Sequence, residues 1–194
     1  MSRLITLGCS HTLCEGVDSN KDSWPYILSN KLNIPLINLS EAGGSNRTIQ
    51  HNVYKFKFKP SDIIVILWTY SDRYHFFINK NTHSGIINSW GNSRSEIWFK
   101  EFHTQYNEIF DNQTIVNQVN LFLKNKNIQV YNMVVSSEFN YYFDITDVDF
   151  IDIDFTKKYL KKYPRGIDGW HMGAEGNYNF AMDIYNNITQ KELI

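Results

Sequence analysis

The run Ile63–Trp68, "IIVILW", is apolar without interruption and rich in β-branched residues. A strand with no polar alternation needs cover on both faces, which is the pattern of a parallel sheet held between helices. The rest of the chain supplies those helices in alternation. Arg3 to Leu7 reads as a short apolar strand. Ser23-Trp24-Pro25 starts a helix toward Leu32, with Ser23 as N-cap and Pro25 in the first turn. Ile34 to Leu39 reads as the second strand, and Asn46 caps a helix through "RTIQHNVYKF". Farther on, roughly Gln113 to Lys124 places Ile115, Val119 and Phe122 on one helical face, "IQVYNMVV" is a fourth strand, and Met172 to Ile188 is a last helix. Strand and helix in this order predict a parallel sheet with helices on both faces. In such sheets ligands sit beyond the carboxyl ends of the strands. The unusual turns of this chain follow its first, second and third strands, so they share that edge.

The 194 residues suit a single domain spanning 1–194. Two segments break the alternation, at about 74–110 and 139–164. The first holds Trp90, Trp98 and three histidines; the second opens aromatic and acidic and closes basic. Both read as aromatic-rich insertions near the active edge. Their rings serve equally well as a side core or a subunit contact.

With 19 basic against 20 acidic side chains, the charge balance argues against a nucleic-acid partner bound by bulk phosphate neutralisation. No apolar run reaches the ~20 residues of a membrane span, and "MSRLITLG" lacks the core of a secretory signal. The expected location is cytoplasmic, with virion or host association or signal-free release as the other options. Cys9 and Cys14 supply neither a disulfide framework nor a zinc set, and are expected as free thiols. His75, His83 and His103 have no compact ligand spacing, so no metal and no cofactor is expected.

Three stretches carry chemistry. Ser10 follows the first strand in "LGCSH", where a serine caps a helix or, given a base, becomes a nucleophile. Asp168 and His171 stand three apart in "GIDGWHMGAEGN". An imidazole oriented by a carboxylate is the usual base for a serine, although the same spacing fits a helix cap or half a metal site. Gly43 and Gly44 follow the second strand, where an exposed backbone N–H can face a developing oxyanion or simply make a turn. His11 lies beside Ser10 but points elsewhere on a helix start and is a poor base for it.

Taken together and in this order, these stretches resemble the SGNH (GDSL-type) hydrolases. Gly8-Cys9-Ser10 matches that family's Gly-Asp-Ser block, Asn38 to Gly43 its Asn-x-x-x-x-Gly block, and Asp168-Gly169-Trp170-His171 its Asp-x-x-His block. The resemblance implies a three-layer α/β/α sandwich of flavodoxin-like kind. It implies Ser10, His171 and Asp168 as catalytic residues, and an oxyanion hole from the N–H groups of Ser10 and Gly43. The family's third block, Gly-x-Asn-Asp, is altered: Thr69 stands at the glycine, Ser71 at the asparagine and Asp72 at the aspartate. Ser71 is the expected side-chain donor, with Asn46 as a substitute. Arg73 either orients an anionic or sugar group or makes a surface ion pair, and Trp170 is a candidate substrate contact. The function implied is a serine esterase acting through an acyl-enzyme on a small or carbohydrate ester, with O-acetyl groups preferred. The alternative is a binding module of the same fold whose chemistry is weakened. Oligomeric state is not legible.

Overall fold

A computed structural model describes residues 1–79, 82–88, 93–136 and 148–191 of the chain. Five parallel strands form the central sheet: β1 (Leu4–Leu7), β2 (Leu36–Asn38), β3 (Ile63–Trp68), β6 (Gln129–Val134) and β7 (Phe150–Asp154). Their spatial order is β2-β1-β3-β6-β7. The chain moves from β1 outward to β2, then crosses back to β3. The order therefore reverses between β1 and β3, and open α/β sheets bind ligands at such a switch point.

Side chains alternate between two cores because successive strand residues point to opposite faces. On one face Leu4, Val65, Leu67 and Met133 pack with Trp24 and Leu28 of α2 (Trp24–Leu32) and with Phe180, Ala181 and Ile184 of α6 (Ala174–Lys191). On the other face Ile5, Leu7, Ile64, Ile66 and Trp68 pack with Ile49 and Val53 of α3 (Asn46–Lys55). Val116, Val119 and Leu123 of α5 (Gln105–Lys124) complete that core. Every one of these side chains is at most 2% exposed. The expected three-layer sandwich is the fold the chain has.

Three local readings shift. Ser45, not Asn46, is the N-cap of α3. It closes a capping box with Thr48 and leaves Asn46 as the first helical residue. The helix expected from Gln113 begins eight residues earlier at Gln105, capped by the Thr104 side chain. Phe150–Asp154, inside the segment read as an insertion at 139–164, pairs with β6 as the fifth strand of the sheet. It was obscured because Asp152 and Asp154 interrupt the apolar pattern where the strand is an open edge.

The other insertion builds an antiparallel hairpin, β4 (Tyr74–Asn79) with β5 (Thr82–Ile87), followed by α4 (Ser93–Glu101). Tyr74, Phe76, Phe99 and Phe102 surround Trp98 or one another, so the described aromatics make a side core of their own. Phe77 stacks on His51 and anchors the hairpin to α3. Trp90, the His83 side chain and the stretch 137–147 lie outside the described residues. Among the described residues no helix is long and apolar enough to cross a membrane.

Candidate active site

The short helix α1 (Ser10–Leu13) begins where β1 ends. Cys9 occupies its N-cap position and makes no side-chain cap, so Ser10 is the first helical residue and its hydroxyl is released from capping. That hydroxyl lies 2.8 Å from Nε2 of His171.

His171 comes from a tight loop between β7 and α6. Arg165 and Met172 form an antiparallel bridge, and the Gly166 N–H donates to the His171 carbonyl. Within the loop the two oxygens of Asp168 divide the work. Oδ1 accepts the backbone N–H groups of Trp170 and His171, each at 2.9 Å, which is the Asx turn that fixes the loop. Oδ2 accepts a short hydrogen bond from Nδ1 of His171. This network places the ring proton on Nδ1 and leaves Nε2 as the acceptor facing Ser10. Burial opposes the charge of Asp168, but the backbone and imidazole bonds of His171, with the Trp170 N–H, outweigh it and hold the carboxyl at about 2. It is therefore ionised at every pH where the imidazole could act. Glu15 adds a second carboxylate, with Oε2 4.0 Å from Nε2.

Gly43 sits beyond β2 with φ of 66°, a left-handed conformation that glycine adopts without strain. Its N–H makes no hydrogen bond among the described residues. The turn is held to the end of β1 by the Glu41 N–H, which donates to the Gly8 carbonyl. The Ser10 N–H, in the first turn of α1, likewise has no intrahelical acceptor. The turn that carries the Gly43 N–H and the first turn of α1 thus meet at the end of β1.

Ser71 does not join them. Its hydroxyl donates to Oε1 of Glu108 on α5, whose other oxygen is 2.6 Å from Nε2 of His103, and Asn112 holds its carbonyl at 3.2 Å. The physical reason is burial: Ser71 is 4% exposed beneath α5, and its nearest strong acceptor is a carboxylate. Asn46 is also committed. Its amide nitrogen donates to Asn112 Oδ1 and Thr69 O, and its oxygen accepts the Thr69 N–H. Both serve to hold the turn after β3 rather than to face Ser10. Arg73 stays at the edge, with its guanidinium over the Tyr70 ring. Trp170 is 79% exposed beside His171. Among the described residues no group of three or more His, Cys, Asp or Glu is disposed to hold a metal ion.

The packing role of His11 and the part played by Asn177 were not read from the sequence. His11 packs edge-on against the His171 ring, with centroids 4.8 Å apart, and its Nε2 is 3.3 Å from the Tyr70 hydroxyl. Burial, then the neighbouring His171, Arg73 and Arg165 charges, push its pKa down to about 3 against the pull of Asp168. It is a neutral wall of the site. Asn177 on α6, 1% exposed, donates to the carbonyls of Met172 and Gly173 and accepts from the Trp24 N–H and the Cys14 thiol. Burial pushes the Cys14 thiol up to about 12, so it remains a donor. Nothing in the local sequence around Asn177 distinguishes it from a solvated helix residue.

Neither a protein-family model nor a curated protein matches the chain. Solved structures do match. An acetyl xylan esterase (Est2A) from the rumen bacterium Butyrivibrio proteoclasticus aligns over 97% of this chain, with 13% identity and a TM-score of 0.63. This chain spans only 64% of that esterase's length. The psychrotrophic esterase EstA from Pseudoalteromonas sp. aligns over 99% of both chains, with 12% identity and a TM-score of 0.60. A member of the lipolytic G-D-S-L family from Veillonella parvula covers 96% of this chain, with 12% identity and a TM-score of 0.55. The fold is the one these proteins share.

Proposed function

We propose that this chain is a serine esterase that removes short acyl groups, O-acetyl foremost, from a carbohydrate or similarly small ester. The observation that carries the reading is the continuous line of hydrogen bonds from Ser10 Oγ through the His171 ring to Asp168. A serine hydroxyl needs a base to attack, and an imidazole held in one tautomer by an ionised carboxylate supplies it.

In the first half-reaction the Ser10 proton passes to Nε2 as Oγ bonds the ester carbonyl carbon. The negative oxygen is met by the N–H groups of Ser10 and Gly43. His171 returns the proton to the departing alcohol, leaving an acyl-serine. Water, giving a proton to His171 Nε2, then attacks that acyl carbon; as the C–Oγ bond breaks, His171 returns the proton to Oγ, releasing the carboxylic acid and free Ser10. The preference for a sugar alcohol is supported by the open indole of Trp170, suited to stacking on a pyranose, and by the acetyl xylan esterase among the solved structures of this fold.

The purified protein is expected to release p-nitrophenol from short-chain p-nitrophenyl esters and acetate from acetylated xylooligosaccharides, and Ser10→Ala to abolish both. Equal hydrolysis by wild type and Ser10→Ala would overturn the proposal. The diversion of Ser71 to Glu108 favours a second reading, a weakened binding module. A Ser10 unreactive toward a fluorophosphonate, together with measurable glycan binding, selects it.

A further inference from the structure

The two half-reactions of the proposed esterase make different demands on Nε2 of His171. In the first, Nε2 gives its proton to the oxygen of a departing alcohol, whose other bond is to carbon. In the second, the acylated Ser10 has no proton to donate, and Nε2 accepts from water instead. That water carries a second O–H, which costs free energy if it is left without an acceptor. Glu15 stands where such an acceptor is needed. Its residue follows α1 directly: the Glu15 N–H donates to the Ser10 carbonyl at 3.4 Å, and the next carbonyl, of Gly16, accepts the Ile167 N–H. These contacts hold the Glu15 backbone between Ser10 and the loop of His171. The side-chain Oε2 lies 4.0 Å from Nε2, the same ring nitrogen that is 2.8 Å from Ser10 Oγ. That separation is too long for a direct hydrogen bond, and one water at ordinary distance from both atoms closes it. The Glu15 carboxylate has no hydrogen bond and no other ion pair among the described residues. Its side chain is 42% exposed, so water reaches it.

We propose that Glu15 is a positioning residue for deacylation, its carboxylate accepting the second O–H of the water whose first O–H faces Nε2 of His171. The proposal rests on the esterase reading. As the water oxygen bonds the acyl carbon, one proton passes to Nε2 and the other stays on that oxygen, hydrogen-bonded to Oε2. When the C–Oγ bond breaks, Nε2 returns its proton to Oγ, and the carboxylic acid leaves with the proton it kept. Glu15 takes up no proton at any point. An alcohol has carbon in place of the second O–H, so the contact favours water over alcohols at the acyl-enzyme. The attraction between the carboxylate and the imidazolium is a separate effect. It acts whichever acceptor attacks, and it cancels when water and an alcohol compete for one acyl-enzyme.

Competition between water and methanol for the acetyl-enzyme tests this. The full chain turns over p-nitrophenyl acetate in dilute methanol, and NMR measures methyl acetate against acetate, with Ser10→Ala as the blank. Glu15→Leu is expected to raise the ratio of methyl acetate to acetate about tenfold, the low end of what a hydrogen bond to a charged group contributes. Glu15→Gln keeps an acceptor oxygen and should bring the ratio part of the way back to wild type. A Glu15→Leu ratio within about threefold of wild type overturns the proposal and leaves the esterase reading standing. That holds even if kcat/KM falls, since Glu15 would then act through its charge alone. Should Glu15→Leu fail to fold, Glu15→Ala decides by the same ratio. A wild type no faster than Ser10→Ala overturns the esterase reading and this proposal with it.

Discussion

Ser10 Oγ and His171 Nε2 lie 2.8 Å apart although 161 residues of chain separate them. Groups that act as one unit in a reaction lose function together rather than additively. The double variant Ser10→Ala/His171→Ala is therefore expected to be no slower than either single variant, each at the background rate of p-nitrophenyl acetate hydrolysis. Asp168→Asn should keep the loop, since an amide oxygen can still accept the two backbone N–H groups, but it releases the ring tautomer. A kcat loss of about 10²–10⁴-fold with an unchanged melting temperature is expected. Single-variant losses that multiply in the double variant would show that the pair does not work as a unit.

The two loops that bring this pair together touch backbone to backbone. A Cβ added at Gly166 would lie 1.9 Å from the Gly16 carbonyl oxygen, and one added at Gly16 would lie 2.7 Å from the His171 Cβ. Overpacking of this kind costs about 1–3 kcal/mol. Gly166→Ala should therefore lower unfolding free energy in urea by about that amount. Gly16→Ala, which pushes on the imidazole itself, should cost more in kcat than in stability. A Gly16→Ala enzyme with wild-type kcat would show that the contact does not set the position of His171.

The layered fold was readable because "IIVILW" and the alternating strand-helix signals are local patterns, and because three short blocks fell on one strand edge. The hydrogen-bonded meeting of Ser10, Asp168 and His171 could be anticipated for the same reason, since each sits in a turn whose residue pattern is local; their roles in a reaction remain the proposal above. Ser71 was misread because a serine hydroxyl has no preferred direction in sequence. Its acceptor, Glu108, lies 37 residues away on another element, within a helical stretch read as starting only at Gln113. Edge strand β7 hid behind its own aspartates, and Asn177 behind an ordinary helix pattern, since what makes each matter is a contact distant in sequence.

Asn177 joins α6, the His171 loop, α2 and α1 through four bonds on one amide. Asn177→Asp keeps the shape but replaces two donors by acceptors, leaving the Met172 and Gly173 carbonyls unpaired against a buried charge. Each buried group left unsatisfied costs about 1–3 kcal/mol. The variant is expected to lose several kcal/mol in urea unfolding at pH 7 and to recover part of that at lower pH, as the carboxyl takes up a proton and regains a donor. Stability independent of pH relative to wild type would mean that the amide donors are not what holds the loop.

His11 gives the fold an acid sensitivity whose sign follows from its burial. An unfolded histidine titrates near 6.5, whereas native His11 is held down to about 3. Between these values the unfolded chain binds a proton that the native chain refuses, so lowering the pH favours unfolding. The contribution is fully present above about pH 6.5 and is lost as the pH falls, with a slope approaching about 1.4 kcal/mol per pH unit for one proton. Asp168 acts with the same sign but only in the lower window, from its unfolded value near 3.8 down to about 2. Urea unfolding at pH 7.5 and at pH 4.5 separates the two. His11→Phe fits the same ring space and removes a buried Nδ1 that has no partner, at the loss of the Tyr70 contact. It should leave stability at pH 7.5 within about 1 kcal/mol of wild type and flatten the slope between the two pH values by close to one proton. Equal slopes in the two proteins would show that His11 protonates in the native state, which its packing between His171 and Phe155 argues against.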